Sequence, residues 1–111
     1  MSETTPPKAP EVTTDELAEA LDAGAVLIDV RRSDEYAEKR VPGAVLIPLD
    51  ELGARVDEVP GDGTVFVICA VGGRSLTAAT ALNGIGRTTV SVAGGTNKWA
   101  NEGRPIETGP V

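Results

Sequence analysis

The sequence contains no histidine and only one cysteine, Cys69. Without histidine the chain can form no Cys–His dyad, no histidine general base and no histidine-based metal site. With one cysteine it can form neither an internal disulfide nor a two-cysteine redox cycle within the chain. Any reactivity of the Cys69 thiol must therefore come from its surroundings rather than from an imidazole or a second thiol.

Positive charge is also scarce, because 10 lysines and arginines stand against 17 acidic residues, for a net charge of -7. Nucleic-acid binding calls for a basic face, so we expect no nucleic-acid partner. No apolar run approaches the length of a membrane span, and residues 1–10 lack the basic-then-apolar pattern of a signal peptide. We therefore expect a cytoplasmic protein without a membrane partner, since a lone functional thiol suits a reducing compartment.

Short apolar runs alternate with helical patterns along most of the 111 residues. This alternation predicts an α/β fold in three layers, with a mostly parallel five-stranded sheet and helices on both faces. We expect a flexible N-terminal tail over residues 1–10, one domain over 11–107 and a short C-terminal tail over 108–111. Strands are predicted at 11–13, 25–30, 44–47, 64–68 and 88–92, and helices from residue 13 or 14 to Gly24, at 34–39 with Ser33 as cap, and at 49–59, 75–83 and 96–102.

Cys69 lies at the carboxyl end of the fourth predicted strand, before a Gly72-Gly73 turn and a helix start. Ligands of α/β folds bind at this edge of the sheet, where backbone N–H groups can surround an anion. We expect both glycines to let N–H groups turn inward, and Arg74 to be the cation that favours the thiolate. The alternative is a buried structural cysteine, since cysteines are commonly buried.

Several segments together resemble the rhodanese-like domains, a family of persulfide-forming sulfurtransferases. The Cys69 segment resembles the family's active-site loop, and the resemblance covers nearly the whole chain after the tail. The other matching segments are Ile28-Asp29-Val30-Arg31, Ser33-Asp34-Glu35-Tyr36, Val41-Pro42-Gly43-Ala44 with Ile47-Pro48, and Ala93-Gly94-Gly95 with Trp99.

The resemblance implies that Cys69 takes sulfur from a sulfane donor, such as thiosulfate or an organic or protein persulfide. The sulfur would then pass to a thiophilic acceptor such as cyanide, a thiol or a partner protein, with no cofactor and no metal. The same resemblance implies that the loop after Cys69 binds the substrate sulfur. These loop residues are Ala70, Val71, Gly72, Gly73, Arg74 and Ser75.

Two other functions stay open at this stage. One is a sulfur-carrier or protein-interaction module with little turnover of small molecules. The other is a Cys-dependent phosphatase or arsenate reductase, which the loop disfavours because four residues separate Cys69 from Arg74, whereas such relatives have five. The apolar pair Ala70-Val71 also predicts weak use of thiosulfate, since it brings no charge to attract a dianion.

The remaining expectations concern residues outside the loop. Asp29 lies within an apolar strand, so we expect a structural ion pair with an arginine. Arg40 stands where many family members have histidine, and it either contributes a hydrogen bond or charge near the loop or is a solvated surface residue. We expect Trp99 and Phe66 to belong to the core.

Overall fold

The computed structural model describes residues 7–110. Five strands and four α-helices follow one another along this part of the chain, with an α-helix after every strand except the third. The strands are β1 (Glu11–Val12), β2 (Val26–Asp29), β3 (Val45–Leu46), β4 (Val65–Ile68) and β5 (Thr89–Val92), and the helices are α1 (Thr14–Asp22), α2 (Ser33–Glu38), α3 (Gly73–Gly84) and α4 (Gly95–Asn101).

The five strands form one sheet in the order β1-β5-β4-β2-β3, and every pairing between neighbours is parallel. Parallel strands are buried on both faces, which explains their nearly continuous apolar sequences. The predicted α/β fold with helices on both faces is confirmed.

Two hydrophobic clusters lie on opposite faces of the sheet. Ile28, Val65 and Val67 point to the face covered by α3, where Ala78 and Leu82 complete the cluster. On the other face, side chains from β2, β4 and β5 pack against α1, α2 and α4. The main members of this second cluster are Leu17, Leu27, Ile68, Val92 and Trp99, with Tyr36 and Phe66 partly buried against it. The core positions predicted for Trp99 and Phe66 are therefore confirmed.

The predicted helix over 49–59 is wrong. This segment instead contains two single-turn 3₁₀ helices, Leu49–Glu51 and Val56–Glu58. Gly53 interrupts the segment and favours helix less than any residue except proline. Leu52 and Val59 still bury their side chains in the α3-side cluster, so the apolar spacing reflects packing rather than a continuous helix.

Two predicted helix starts are also wrong. Ser33 is the first residue of α2 and not its cap, because Arg32 is the N-cap residue and its N–H donates to the Glu35 carboxylate at 3.0 Å. α3 begins at Gly73, two residues earlier than predicted, so Arg74 and Ser75 belong to its first turn.

Contacts with the helices and the sheet extend past both predicted domain boundaries. Ala9 is buried and its N–H donates to Thr80 Oγ1 at 3.0 Å, while the Pro10 carbonyl accepts the Ser91 N–H at 2.9 Å. At the other end, the Gly109 N–H donates to the Ala37 carbonyl at 2.8 Å. Residues 1–6 and 111, which complete the two predicted tails, lie outside the described residues.

Candidate active site

The Cys69 side chain is placed by the alternation of β4. Val65, Val67 and Cys69 all point to the α3 face, since alternate residues of a strand share a face. The neighbouring strand β2 leads into α2 on one face of the sheet, whereas β4 leads into α3 on the other. Adjacent strands whose helices leave toward opposite faces open a crevice at their carboxyl ends, and Cys69 lies there.

The Cys69 sulfur is enclosed by donors from its own loop. The Gly72 N–H donates to Sγ at 3.0 Å, and the thiol lies 3.4 Å from the Ser75 hydroxyl oxygen. Cys69 is 0% exposed, whereas Val71 at the tip of the loop is 67% exposed. The thiol is therefore buried, and the exposed residue of the loop beyond it is apolar.

Two opposing influences set the pKa of the Cys69 thiol. Burial has the largest effect and by itself would raise the pKa, because a buried thiolate loses hydration. Hydrogen bonds from the Ser75 hydroxyl and from the N–H groups of Ser75, Gly72 and Val71 act the other way, and together they lower the pKa below its ordinary value. The loop thus favours the thiolate, which is the reactive form of cysteine.

The two glycines of the loop have different roles. Gly72 has a φ of +116°, in the region that other residues rarely adopt, and its N–H faces the sulfur. Gly73 has no positive φ, and a Cβ added there would meet nothing within 4 Å. The expectation that both glycines let N–H groups turn inward therefore agrees with the geometry of Gly72, whereas the backbone of Gly73 does not require a glycine.

A second glycine turn, between β5 and α4, packs against the backbone of the cysteine loop. The Thr96 N–H donates to the Cys69 carbonyl at 2.8 Å, and the Asn97 N–H donates to the Ala70 carbonyl at 3.0 Å. Gly95 allows this approach, because a Cβ there would lie 2.5 Å from both carbonyl oxygens. The start of α4 therefore fixes the backbone at the base of the cysteine loop.

Arg74 is paired with a carboxylate in the structure. Its guanidinium binds the Glu35 carboxylate of α2 through two hydrogen bonds, of 2.8 and 2.9 Å. This pairing is the main reason that the pKa of Glu35 falls to about 2. The charges of Arg74 and the Cys69 thiolate still attract each other, but the guanidinium is paired with Glu35 and the hydrogen bonds to sulfur come from the loop, so an activating role of Arg74 stays a prediction.

A cavity of about 400 Å³ adjoins the loop where Arg74 lies. Its arginines are paired with carboxylates: Arg31 with Asp29 at 2.8 Å, Arg32 with Asp34 at 3.0 Å, and Arg74 with Glu35 at 2.8 Å. Asp50 is the acidic residue among those that line the cavity. Much of the positive charge beside the cavity is therefore matched by carboxylates. Its lining residues are Val30, Arg31, Arg32, Pro48, Leu49, Asp50 and Arg74.

The other charged residues singled out in the sequence are structural. Asp29 and Arg31 form the expected ion pair, almost completely buried, and Arg31 also donates to the Lys39 carbonyl at 2.7 Å. Arg40 lies against the C-terminal segment, where it donates to the Gly109 carbonyl at 2.8 Å and stacks over the Tyr36 ring at 4.4 Å. Neither option predicted for Arg40 describes this role in holding the end of the chain.

Comparison with known proteins agrees with this architecture. Residues 13–102 match the family model described as Rhodanese-like domain. The chain belongs to the rhodanese-like family. Among curated relatives, the putative sulfurtransferase YtwF of Bacillus subtilis is 34% identical over 97 residues, covering 86% of this chain and 94% of that protein. The putative sulfur carrier protein YrkF of the same organism is 30% identical over 96 residues, 84% of this chain and 52% of that protein.

Among solved structures, a rhodanese-related protein from Thermoplasma volcanium superposes with a TM-score of 0.83 and 31% identity, covering 88% of this chain and 97% of that chain. The family and the fold expected from the sequence are thus confirmed, and membership of a sulfurtransferase family supports a role in sulfur transfer. None of the helices between residues 7 and 110 has the length and apolar character needed to cross a bilayer.

The sequence does not reveal two residues that the structure brings to the site. Glu35 binds Arg74 across 39 positions of sequence, and Ser91 lies 2.8 Å from the Ser75 hydroxyl oxygen. The segment with Glu35 contributes to the family resemblance, but nothing in it indicates a partner. For Ser91, the available signal is a serine within the apolar strand β5, which requires a buried partner for its hydroxyl.

Proposed function

We propose that the protein is a sulfurtransferase that carries sulfane sulfur as a persulfide on Cys69. The observation that carries the proposal is the enclosed Cys69 sulfur, which accepts the Gly72 N–H at 3.0 Å within a loop that has four residues before Arg74. A small ring of donors suits one sulfur atom better than a phosphoryl group. We further propose that residues 70–75 bind the transferred sulfur.

In the first step, the Cys69 thiolate attacks the outer sulfur of the donor. A new S–S bond forms to Sγ, and the donor's own bond to that sulfur breaks. The electron pair of the broken bond leaves with the remainder of the donor, as a thiolate from an organic persulfide or as sulfite from thiosulfate. The loop N–H groups stabilise the anionic sulfur before and after the attack.

In the second step, the acceptor attacks the outer sulfur of the Cys69 persulfide. The S–S bond breaks, its electron pair returns to Sγ, and the Cys69 thiolate is restored. Cyanide as acceptor yields thiocyanate, and a thiol yields a new persulfide. The covalent intermediate separates the two substrates in time, so the kinetics are ping-pong. A reducing compartment such as the cytoplasm suits this cycle, because it keeps the lone thiol free.

An organic or protein persulfide fits the site better than thiosulfate does. The arginines of the adjoining cavity are matched by carboxylates, the exposed loop residue Val71 is apolar, and the whole chain has a net charge of -7. A dianion therefore gains little electrostatic attraction near Cys69. The binding of a donor held by apolar contacts depends less on that attraction.

Initial rates with two donors test this proposal. We expect kcat/KM for an apolar alkyl persulfide such as benzyl persulfide, which is at most a monoanion, to exceed that for thiosulfate by about tenfold or more, with parallel double-reciprocal lines when the acceptor is varied. Glu35→Gln frees the charge of Arg74 and is expected to improve thiosulfate use about two- to tenfold. Glu19→Gln, on the exposed surface of α1, is the control with the same change in net charge. Equal gains in both variants would contradict the local explanation.

A sulfur carrier is the second candidate, favoured by the similarity to YrkF. A carrier would accept one sulfur per chain and release it to a protein partner, with negligible turnover of small molecules. Single loading without steady-state production of thiocyanate would favour the carrier. Hydrolysis of an aryl phosphate would instead indicate the phosphatase that the loop length disfavours.

A further inference from the structure

Ser91 is a polar residue within the apolar strand β5 that the mechanism above does not use. It is 0% exposed and lies beside Val67 of β4 in the sheet register. Within the described part of the chain its hydroxyl has one hydrogen-bond partner, the Ser75 hydroxyl oxygen at 2.8 Å. A buried hydroxyl costs free energy unless it is hydrogen-bonded, so this contact is a specific feature of the site.

Three polar atoms lie within hydrogen-bond reach of the Ser75 hydroxyl, which has one proton to donate. Its oxygen lies 3.4 Å from Cys69 Sγ, 3.2 Å from the Gly72 carbonyl oxygen and 2.8 Å from Ser91 Oγ. One hydroxyl supplies a single proton and accepts through two lone pairs. The direction of that proton therefore depends on what the three neighbours can donate.

The protonation state of Cys69 decides the arrangement. A neutral thiol donates to Ser75 Oγ, and the Ser75 proton is then free to point at the Gly72 carbonyl or at Ser91. A thiolate can only accept, so the Ser75 proton must turn to the sulfur. The Gly72 carbonyl does not lose its last partner in this state, because it also accepts the Leu76 N–H at 3.1 Å.

We propose that Ser91 is a positioning residue, which donates its hydroxyl proton to Ser75 and thereby directs the Ser75 proton onto the Cys69 thiolate. In this arrangement each hydroxyl donates once, Ser91 to Ser75 and Ser75 to sulfur, and Ser75 also accepts the Ser91 proton. Hydrogen bonds in such a chain polarise and strengthen one another. The consequence for sulfur transfer rests on the proposed function, but the thiolate can be titrated without any sulfur donor.

Substitution of Ser75 or Ser91 leaves every charged residue around the loop in place. None of them is among the hydrogen-bond partners of the sulfur within residues 7–110. They act as a fixed background for variants of the two serines. They are Asp29 and Arg31 at the end of β2, Glu35 from α2, Arg74 from α3 and Lys98 from α4, which is paired with Glu102.

The test is the thiol pKa, measured from the pH dependence of alkylation by iodoacetamide. We expect Ser91→Ala to raise the pKa of Cys69 by about half a unit and Ser75→Ala to raise it by about one unit. The double variant should match Ser75→Ala alone, because Ser91 acts through Ser75. Thr89→Val is the control, since it removes another buried hydroxyl of β5, which bonds to the Ala79 carbonyl rather than to Ser75, and should leave the thiol pKa unchanged.

An unchanged pKa in Ser91→Ala, or additive effects in the double variant, would overturn the proposal. If Ser91→Ala does not fold, the wild-type protein supplies the test, because the ¹³Cβ resonance of Ser91 must titrate with the pKa of Cys69; a resonance that stays constant overturns the proposal. Failure of the proposed function is separate: it shows as absent sulfur loading and does not alter the alkylation profile.

Discussion

Gly95 offers a sharp test of how the cysteine loop is supported. In Gly95→Ala the new Cβ would lie 2.5 Å from the carbonyl oxygens of Cys69 and Ala70, and its backbone φ of +62° disfavours any residue with a side chain. Ordinary contacts begin near 3.5 Å, so the approach is too close by about 1 Å. All the atoms in the way belong to the backbone, which cannot move aside by rotating a side chain.

The expected cost has two parts. A left-handed residue other than glycine costs about 1–2 kcal/mol, and overpacking adds about 1–3 kcal/mol. The loss of about 2–5 kcal/mol is a large share of the 5–15 kcal/mol that typically stabilises a domain. Gly63→Ala is the control, because Gly63 has a similar φ of +77° but a Cβ there would meet nothing within 4 Å. Only the first part of the cost applies to it.

Urea unfolding measures both variants through the fluorescence of Trp99, the one tryptophan, which is buried in the core. We expect Gly95→Ala to lose about 1–3 kcal/mol more than Gly63→Ala, with an unchanged denaturant slope. Sulfur loading of Cys69 should also slow in Gly95→Ala alone, since the displaced atoms belong to its own loop. Equal losses in the two variants would refute the close packing of α4 on this loop.

Further predictions concern the loop and its ion pair. Gly72→Ala should destabilise the protein by about 1–2 kcal/mol and raise the thiol pKa, whereas Gly73→Ala, at an exposed helix start, should leave both unchanged or stabilise the protein by up to about 1 kcal/mol. Similar effects of the two changes would contradict the distinction between these glycines. The pKa of Glu35 is about 2 in the folded protein, below its ordinary value of 4.5, so the ionised form stabilises the fold above about pH 4.5 and this contribution is lost as the pH falls toward 2. The difference in unfolding free energy between wild type and Glu35→Gln should therefore shrink over that range, and a constant difference would argue against the pairing with Arg74. Thr96 buries a hydroxyl without a hydrogen-bond partner among residues 7–110, so Thr96→Val should be neutral or stabilise the protein by about 1 kcal/mol in the same urea assay, and a clear loss would reveal a partner for that hydroxyl.

The sequence predicts most of the fold because local pattern and tertiary structure agree there. Buried parallel strands need apolar residues on both faces, so β2, β4 and β5 are recognisable as short apolar runs. The position of Cys69 follows from the end of one such run. The prediction from apolar spacing is wrong over 49–59. The apolar residues of this segment pack in the core, but Gly53 disfavours the continuous helix that their spacing predicts.

The charged and polar partners of the site could not be predicted in the same way. Arg74 is the obvious cation beside Cys69 in sequence, but the fold brings Glu35 against it from α2. Ser75 and Ser91 meet only because β5 pairs with β4 beneath α3. Gly72 and Gly73 differ in backbone φ, and the sequence cannot show this because both positions are glycine. Such features depend on distant segments and on local backbone geometry rather than on pattern.

The most direct test of the account is the intact mass of the protein after exposure to glutathione persulfide and then to cyanide. Because Cys69 is the only cysteine, a mass gain needs no further mapping to a thiol. We predict a gain of one sulfur atom per chain, its loss on adding cyanide with release of thiocyanate, and neither change in Cys69→Ser. A wild-type chain that gains no sulfur from any sulfane donor, or retains it against every acceptor, would contradict sulfur transfer through Cys69.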